Sequence, residues 1–123
     1  MIPFSRADRV SALIQQVLSD LLKKKIRDPR LAMTTVTKVK MSPDLKLARI
    51  YFSIYGGSDK SEAAAIGFES ARGFIKRSLA RKLGLRYMPD LQFFYDDSFD
   101  YSYHIEQLLK KIATDNGPDS QSD

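Results

Sequence analysis

Residues 47–55 alternate. Ala48, Ile50, Phe52 and Ile54 fall on one side of an extended chain, and Arg49, Tyr51 and Ser53 on the other. Such a run is a strand with one face in a core and one in water. Its apolar face demands a cover, which restricts the chain to a layered fold. The preceding run, Thr34-Thr-Val-Thr-Lys-Val-Lys-Met41, is rich in β-branched residues and reads as a second strand. Ser42-Pro43-Asp44 is the turn between them, and so short a link implies an antiparallel hairpin. Leu91–Tyr95 is expected to be a third, short strand.

The cover is helical. Ser5 with Asp8 three residues on has the form of a capping box. Val10, Leu13, Ile14, Val17, Leu18, Leu21 and Leu22 then follow i, i+3, i+4 spacing, the mark of an amphipathic helix. Asp28-Pro29 closes the helical region, because the residue before proline is pushed out of the helical well. From Ser61 to Ala71 a second helix carries Ala64, Phe68 and Ala71 on one stripe. Gly67 in its middle costs about 1 kcal/mol relative to alanine, and a close approach of helix to sheet is the expected reason. Past Ala71-Arg72-Gly73, read as a bend, a further helix sets Ile75, Leu79 and Leu83 on one face and Arg77 and Arg81 on the opposite one. Lys76 and Lys82 flank the apolar stripe, and Gly84 stops the helix. Ile105, Leu108, Leu109 and Ile112 give a last amphipathic helix. The order helix, strand, strand, helix, bend, helix, strand, helix, with helices on one face of a three-stranded sheet, makes a small α+β domain. It is expected to occupy residues 1–113. Residues 114–123 are polar, without an apolar anchor, and are expected to be a disordered acidic tail.

Several chemistries have no residues to carry them. The chain has no cysteine and one histidine, His104, so disulfides, thiolate metal sites and a cysteine nucleophile are excluded. There is no GxxxxGK[ST] loop. Asp96, Asp97 and Asp100 lack partners at metal-ligand spacing and are accounted for by turn and capping roles. The expectation is a protein without catalysis, metal or cofactor. No apolar run approaches the ~20 residues that span a bilayer, and no basic-then-apolar leader opens the chain, so a cytoplasmic protein is expected.

Charge is unevenly divided. Residues 1–89 carry eighteen Lys/Arg against seven Asp/Glu, a net of +11, whereas residues 90–123 carry two against eight, a net of −6. A polyanion is the natural partner for the first part. The bend at Ala71-Arg72-Gly73 supports two readings. A helix opening at Gly73 would offer free N–H groups and a positive dipole end to a phosphate, with cations around it. Alternatively Gly73 is only a kink and the cations a solvated face. Arg6 and Arg9 sit at the first turn of the first helix, against its dipole, which favours a functional role. Lys23, Lys24 and Lys25 suit the helix end they occupy, and this is a sufficient structural reason for them. Base stacking would call on exposed aromatics among Tyr51, Tyr55, Phe74 and Tyr87.

One set of segments goes beyond pattern: Asp28-Pro29-Arg30-Leu31, Thr35-Val36-Thr37, Met41-Ser42-Pro43-Asp44-Leu45, Ala71-Arg72-Gly73-Phe74-Ile75-Lys76, Leu85-Arg86, Pro89-Asp90-Leu91, Phe93 and Asp96. In this order and spacing, from about Arg6 to Leu109, they resemble the ribosome-binding factor A family. The resemblance implies a type II KH-like domain in which Ala71-Arg72-Gly73 replaces the Gly-x-x-Gly loop usual in KH domains. The stretch after Asp97 departs from the family in being more aromatic and in lacking a glycine, and the tail is short. The function implied is that of a bacterial assembly factor. Such a factor binds the small (30S) ribosomal subunit during late maturation of its 16S rRNA, is needed especially in the cold, and then leaves. Neighbouring ribosomal proteins are possible additional partners, and a monomer is expected. The candidate RNA contacts are Arg6, Arg9, Lys23, Lys24, Arg30, Ala71, Arg72, Gly73, Lys76, Arg77, Arg81 and Arg86. The alternative is a general KH-like module for single-stranded RNA or for protein contacts through the acidic residues 90–123.

Overall fold

The structure is a computed structural model and describes residues 5–56 and 58–115. Helix α1 (Arg6–Lys24) begins with the expected capping box: the Ser5 hydroxyl accepts from the Asp8 N–H, and the Asp8 carboxylate accepts from the Ser5 N–H. A short 3-10 turn, Pro29–Leu31, follows, with the Asp28 carboxylate accepting from the Arg30 N–H. Strands β1 (Thr34–Met41) and β2 (Leu47–Ile54) pair antiparallel, as the short link requires. After a second 3-10 turn, Ser58–Lys60, comes α2 (Ser61–Leu83), then β3 (Asp90–Tyr95) and α3 (Ser98–Asp115). β3 pairs parallel to β2, so the sheet order is β1-β2-β3 with α2 as the crossover.

The core lies between one sheet face and the two helices α1 and α2. Val10, Ile14, Leu18 and Leu21 from α1 and Ala64, Phe68, Ile75 and Leu79 from α2 meet Ala48, Ile50 and Phe52 of β2 and Leu91 of β3. The alternation read in residues 47–55 therefore holds residue by residue. The phase read for the second half of α2 holds too, with Ile75 and Leu79 buried and Arg77 and Arg81 exposed. β1 breaks its alternation: Val36, Val39 and Met41 are all buried. A bulge between Val36 and Lys38 inserts Thr37 and resets the phase. The Thr37 hydroxyl donates to the Asp96 carboxylate at 2.7 Å, which ties the bulge to the end of β3. Two α1 side chains stitch that helix to β1: the Ser11 hydroxyl accepts from the Met41 N–H, and the Gln15 amide donates to the Val36 carbonyl.

Two expectations need correction. No helix opens at Gly73, because α2 is one helix from Ser61 to Leu83. The N–H groups there belong to the helical ladder and offer nothing to a phosphate. A single glycine costs about 1 kcal/mol in a helix interior, too little to divide a helix held to the sheet at Ala64, Phe68, Ile75 and Leu79. Gly67 also has a different reason from the one expected. A Cβ there would lie 3.1 Å from the Leu31 side chain and 3.2 Å from the Cβ of Arg30, so it is the Pro29–Leu31 turn, and not the sheet, that closes on α2. Gly84 ends the helix in the left-handed region at φ 63°, as expected. α3 continues through residues 114 and 115; the rest of the expected tail, residues 116–123, lies outside the described residues, as do residues 1–4.

Candidate nucleic-acid interface

The sequence candidates fall into groups. On the outer face of α2, Gly73, Arg77 and Arg81 lie one turn apart and exposed. An Arg77 guanidinium nitrogen lies over Gly73, 3.3 Å from where a Cβ would be. Nothing else within 4 Å crowds Gly73 beyond the chain around it, so a partner can come close to the backbone there. Neither Arg77 nor Arg81 forms an ion pair among the described residues.

A second group forms where the start of α1, the β1–β2 loop and the segment after α2 converge. Arg6, Lys46, Arg86 and Tyr87 line one cleft with Asp44 and Leu45. Arg86 stacks on Tyr87 at 5.4 Å, and Tyr87 is 75% exposed. Side-chain hydrogen bonds hold the tip of the loop. The Ser42 hydroxyl donates to Asp44 and accepts from the N–H groups of Lys46 and Leu47, and Leu45 takes φ 62°, a left-handed conformation that costs a non-glycine residue about 1–2 kcal/mol. The Ser42 hydroxyl, then the Lys46 N–H, holds the Asp44 carboxyl below its ordinary range. A third group joins Lys24 of α1 and Lys25 just past its end to Lys82 of α2, with Asp20 among them. Lys82, which the sequence places only beside the apolar stripe, is brought there by the packing of α2 on α1. Lys23 faces a separate groove beside Leu31 and Thr35. Arg9 is exposed on α1.

Four candidates are engaged inside the fold. Arg72 grips Glu69 with two nitrogens at 2.7 and 3.0 Å, donates to the Leu91 carbonyl, lies 3.4 Å from Asp90 and covers the Phe93 ring at 5.6 Å. Its guanidinium fastens α2 to β3, and the Glu69 hydrogen bonds push its pKa up. Arg30 makes a forked pair with Asp28 at 2.6 Å, and the Arg30 side chain, then its N–H, holds that carboxyl below the usual range. Lys76 lies 3.4 Å from Asp90. Ala71 packs against the core. Of the four aromatics with a stacking role in view, Tyr55 and Tyr87 are exposed, Tyr51 is half-buried, and Phe74 packs against the core. Phe94, 40% exposed on β3, is a fifth that the sequence did not single out. Among the described residues no group of three or more His, Cys, Asp or Glu side chains is placed to hold a metal ion, and no helix is long and apolar enough to cross a membrane.

A three-stranded mixed sheet covered by α1 and α2, with exposed arginines on the outer face of α2, defines a KH-like α+β domain. The family model of ribosome-binding factor A matches residues 6–109, and the chain belongs to that family. A ribosome-binding factor A from Desulfatibacillum aliphaticivorans is 52% identical over 114 residues, covering 93% of each chain. The crystal structure of ribosome-binding factor A from Thermus thermophilus superposes with a TM-score of 0.65 at 24% identity, over 74% of this chain and 97% of that one. A Thermus thermophilus homology model fitted into the cryo-EM map of a 30S–RbfA complex gives 0.63 at 24% identity, over 76% and 97%.

Proposed function

We propose that the chain binds the small ribosomal subunit through phosphates of its 16S rRNA during late maturation and leaves the mature subunit. It acts without catalysis, as a cytoplasmic monomer, and is needed most in the cold. The observation that carries this reading is the outer face of α2. Gly73, Arg77 and Arg81 are exposed there, without a carboxylate partner among the described residues, on a fold whose first 89 residues hold a net +11. Unpaired arginines on a rigid helix suit phosphate oxygens, which they can grip in forked pairs. Arg6 and Arg86 in the cleft beside Tyr87 extend the cationic surface. The family, and the Thermus thermophilus relative fitted into a 30S complex, support the small subunit as the partner. Co-sedimentation with isolated small and large subunits across a salt series tests it. Retention on the small subunit alone, falling steeply with salt, is expected. Equal retention on both subunits, or retention indifferent to salt, overturns it.

A further inference from the structure

The sheet has a second face, which α1 and α2 leave uncovered. The strand register places six side chains there in two rows. Lys38 stands opposite Tyr51, and Tyr51 beside Phe94; Lys40 stands opposite Arg49, and Arg49 beside Gln92. The rows are two residues apart along the strands, about 6.6 Å. The bulge at Thr37 makes this arrangement compatible with the core, since it lets Val36 and Val39 both point inward while Lys38 and Lys40 point out.

Three features of this face bear on what it can receive, although Lys38 also interacts with the Asp96 carboxylate at the end of β3. The Tyr51 and Phe94 rings stack with centroids 5.5 Å apart and planes inclined by 29°, and Phe94 remains 40% exposed, apart from the core. The Lys38 ammonium lies 4.7 Å over the Tyr51 ring, a cation held beside an aromatic face. Lys40 and Arg49 are direct cross-strand partners of like charge, an arrangement that is destabilising by itself. Neither makes an ion pair among the described residues, and neither row contains a carboxylate. An anion between Lys40 and Arg49 removes their repulsion, and a flat ring laid on Phe94 covers its exposed surface. A nucleotide chain supplies both at a regular spacing, whereas a duplex keeps its ring faces stacked on each other and supplies only the anion.

We propose that the open sheet face is a stacking platform for unpaired RNA nucleotides, with Phe94 and Tyr51 receiving a base and Lys38, Lys40 and Arg49 neutralising the flanking phosphates. This rests on the reading that the partner is ribosomal RNA and adds a site on the opposite layer from Arg77 and Arg81. One molecule can thus hold backbone phosphates on its helical layer and a single strand on its sheet.

The test uses the full chain with a labelled 12-nucleotide oligo(A) and the same strand carrying 2-aminopurine, and with two competitors, a 12-base-pair RNA duplex and poly-glutamate. Oligo(A) is expected to bind with quenching of the 2-aminopurine and to be displaced poorly by the duplex. Phe94→Leu keeps an apolar strand residue and should melt within a few degrees of the parent, yet lose about tenfold in oligo(A) affinity together with the quenching. The pair Lys40→Ser and Arg49→Ser should weaken binding, flatten its salt dependence and raise the melting temperature by relieving the repulsion. Unchanged oligo(A) affinity in Phe94→Leu, or equal competition by the duplex or by poly-glutamate, overturns the platform. Small-subunit retention by the parent without any oligo(A) binding overturns the platform and leaves the rRNA reading standing. Failure of the parent to bind the small subunit overturns that reading itself.

Discussion

Ser78 is buried within α2, and its hydroxyl has no hydrogen-bond partner among the described residues. A buried hydroxyl left unpaired costs about 1–3 kcal/mol, so Ser78→Ala is expected to stabilise the protein by about 1 kcal/mol, read as an upward shift of the urea midpoint. A fall in that midpoint would mean that the hydroxyl has a partner in solution. The glycines of the same helix divide sharply. Gly67→Val forces a branched side chain against Leu31 and the Cβ of Arg30 and should cost about 1–3 kcal/mol despite the gain in helix propensity. Gly73→Ala meets only the flexible end of Arg77 and should stabilise by about 0.5–1 kcal/mol. Thermal melts of the two variants should move in opposite directions. Sequence spacing does not separate these two roles. Gly67 and Gly73 are both mid-helical glycines, and what distinguishes them is a turn thirty-six residues upstream of the first.

Among the elements, β3 is held by side chains from two others. Arg72 reaches it from α2, and Thr37 reaches Asp96 just beyond its end. The Ser98 hydroxyl, then that of Thr37, holds the Asp96 carboxyl below its ordinary range. A carboxyl whose folded pKa is lowered adds stability above its unfolded value, near 3.9, and that stability is lost as pH falls through the folded value. Asp96→Asn should therefore be less stable than the parent at pH 7. The difference should shrink as pH drops below about 4, which a melt series in acid will show. The strand faces of β2 and the helix phase around Ile75 and Leu79 were legible because each repeats a single period. β1 was legible as a strand but not in its faces, since Val36 and Val39 are three apart and only the bulge brings both inward.

Over the whole molecule, charge is divided along the chain, with cationic residues predominating before 90 and acidic ones after it. Association with a polyanion should be steered by that asymmetry and weakened by salt. Replacing Arg77 and Arg81 together with alanine should leave the melt unchanged, because both are exposed opposite Ile75 and Leu79. It should lower the slope of log affinity against log salt by about 2, one for each phosphate no longer neutralised. An unchanged slope in a co-sedimentation series would remove these arginines from the interface.

By itself, the amino-acid order determined whatever depends on neighbours along the chain. The capping box at Ser5 and Asp8, the antiparallel hairpin, the alternation from Ala48 to Ile54 and the stop at Gly84 all arise within a few residues. Only the tertiary structure decided which cations are free. Arg72, Arg77 and Arg81 look alike on a helix, but Arg72 meets a carbonyl and a ring on β3 nineteen and twenty-one residues away, while the other two meet solvent. It also decided that Lys38, Tyr51 and Phe94 stand in one row, because strand register joins residues that the sequence keeps far apart.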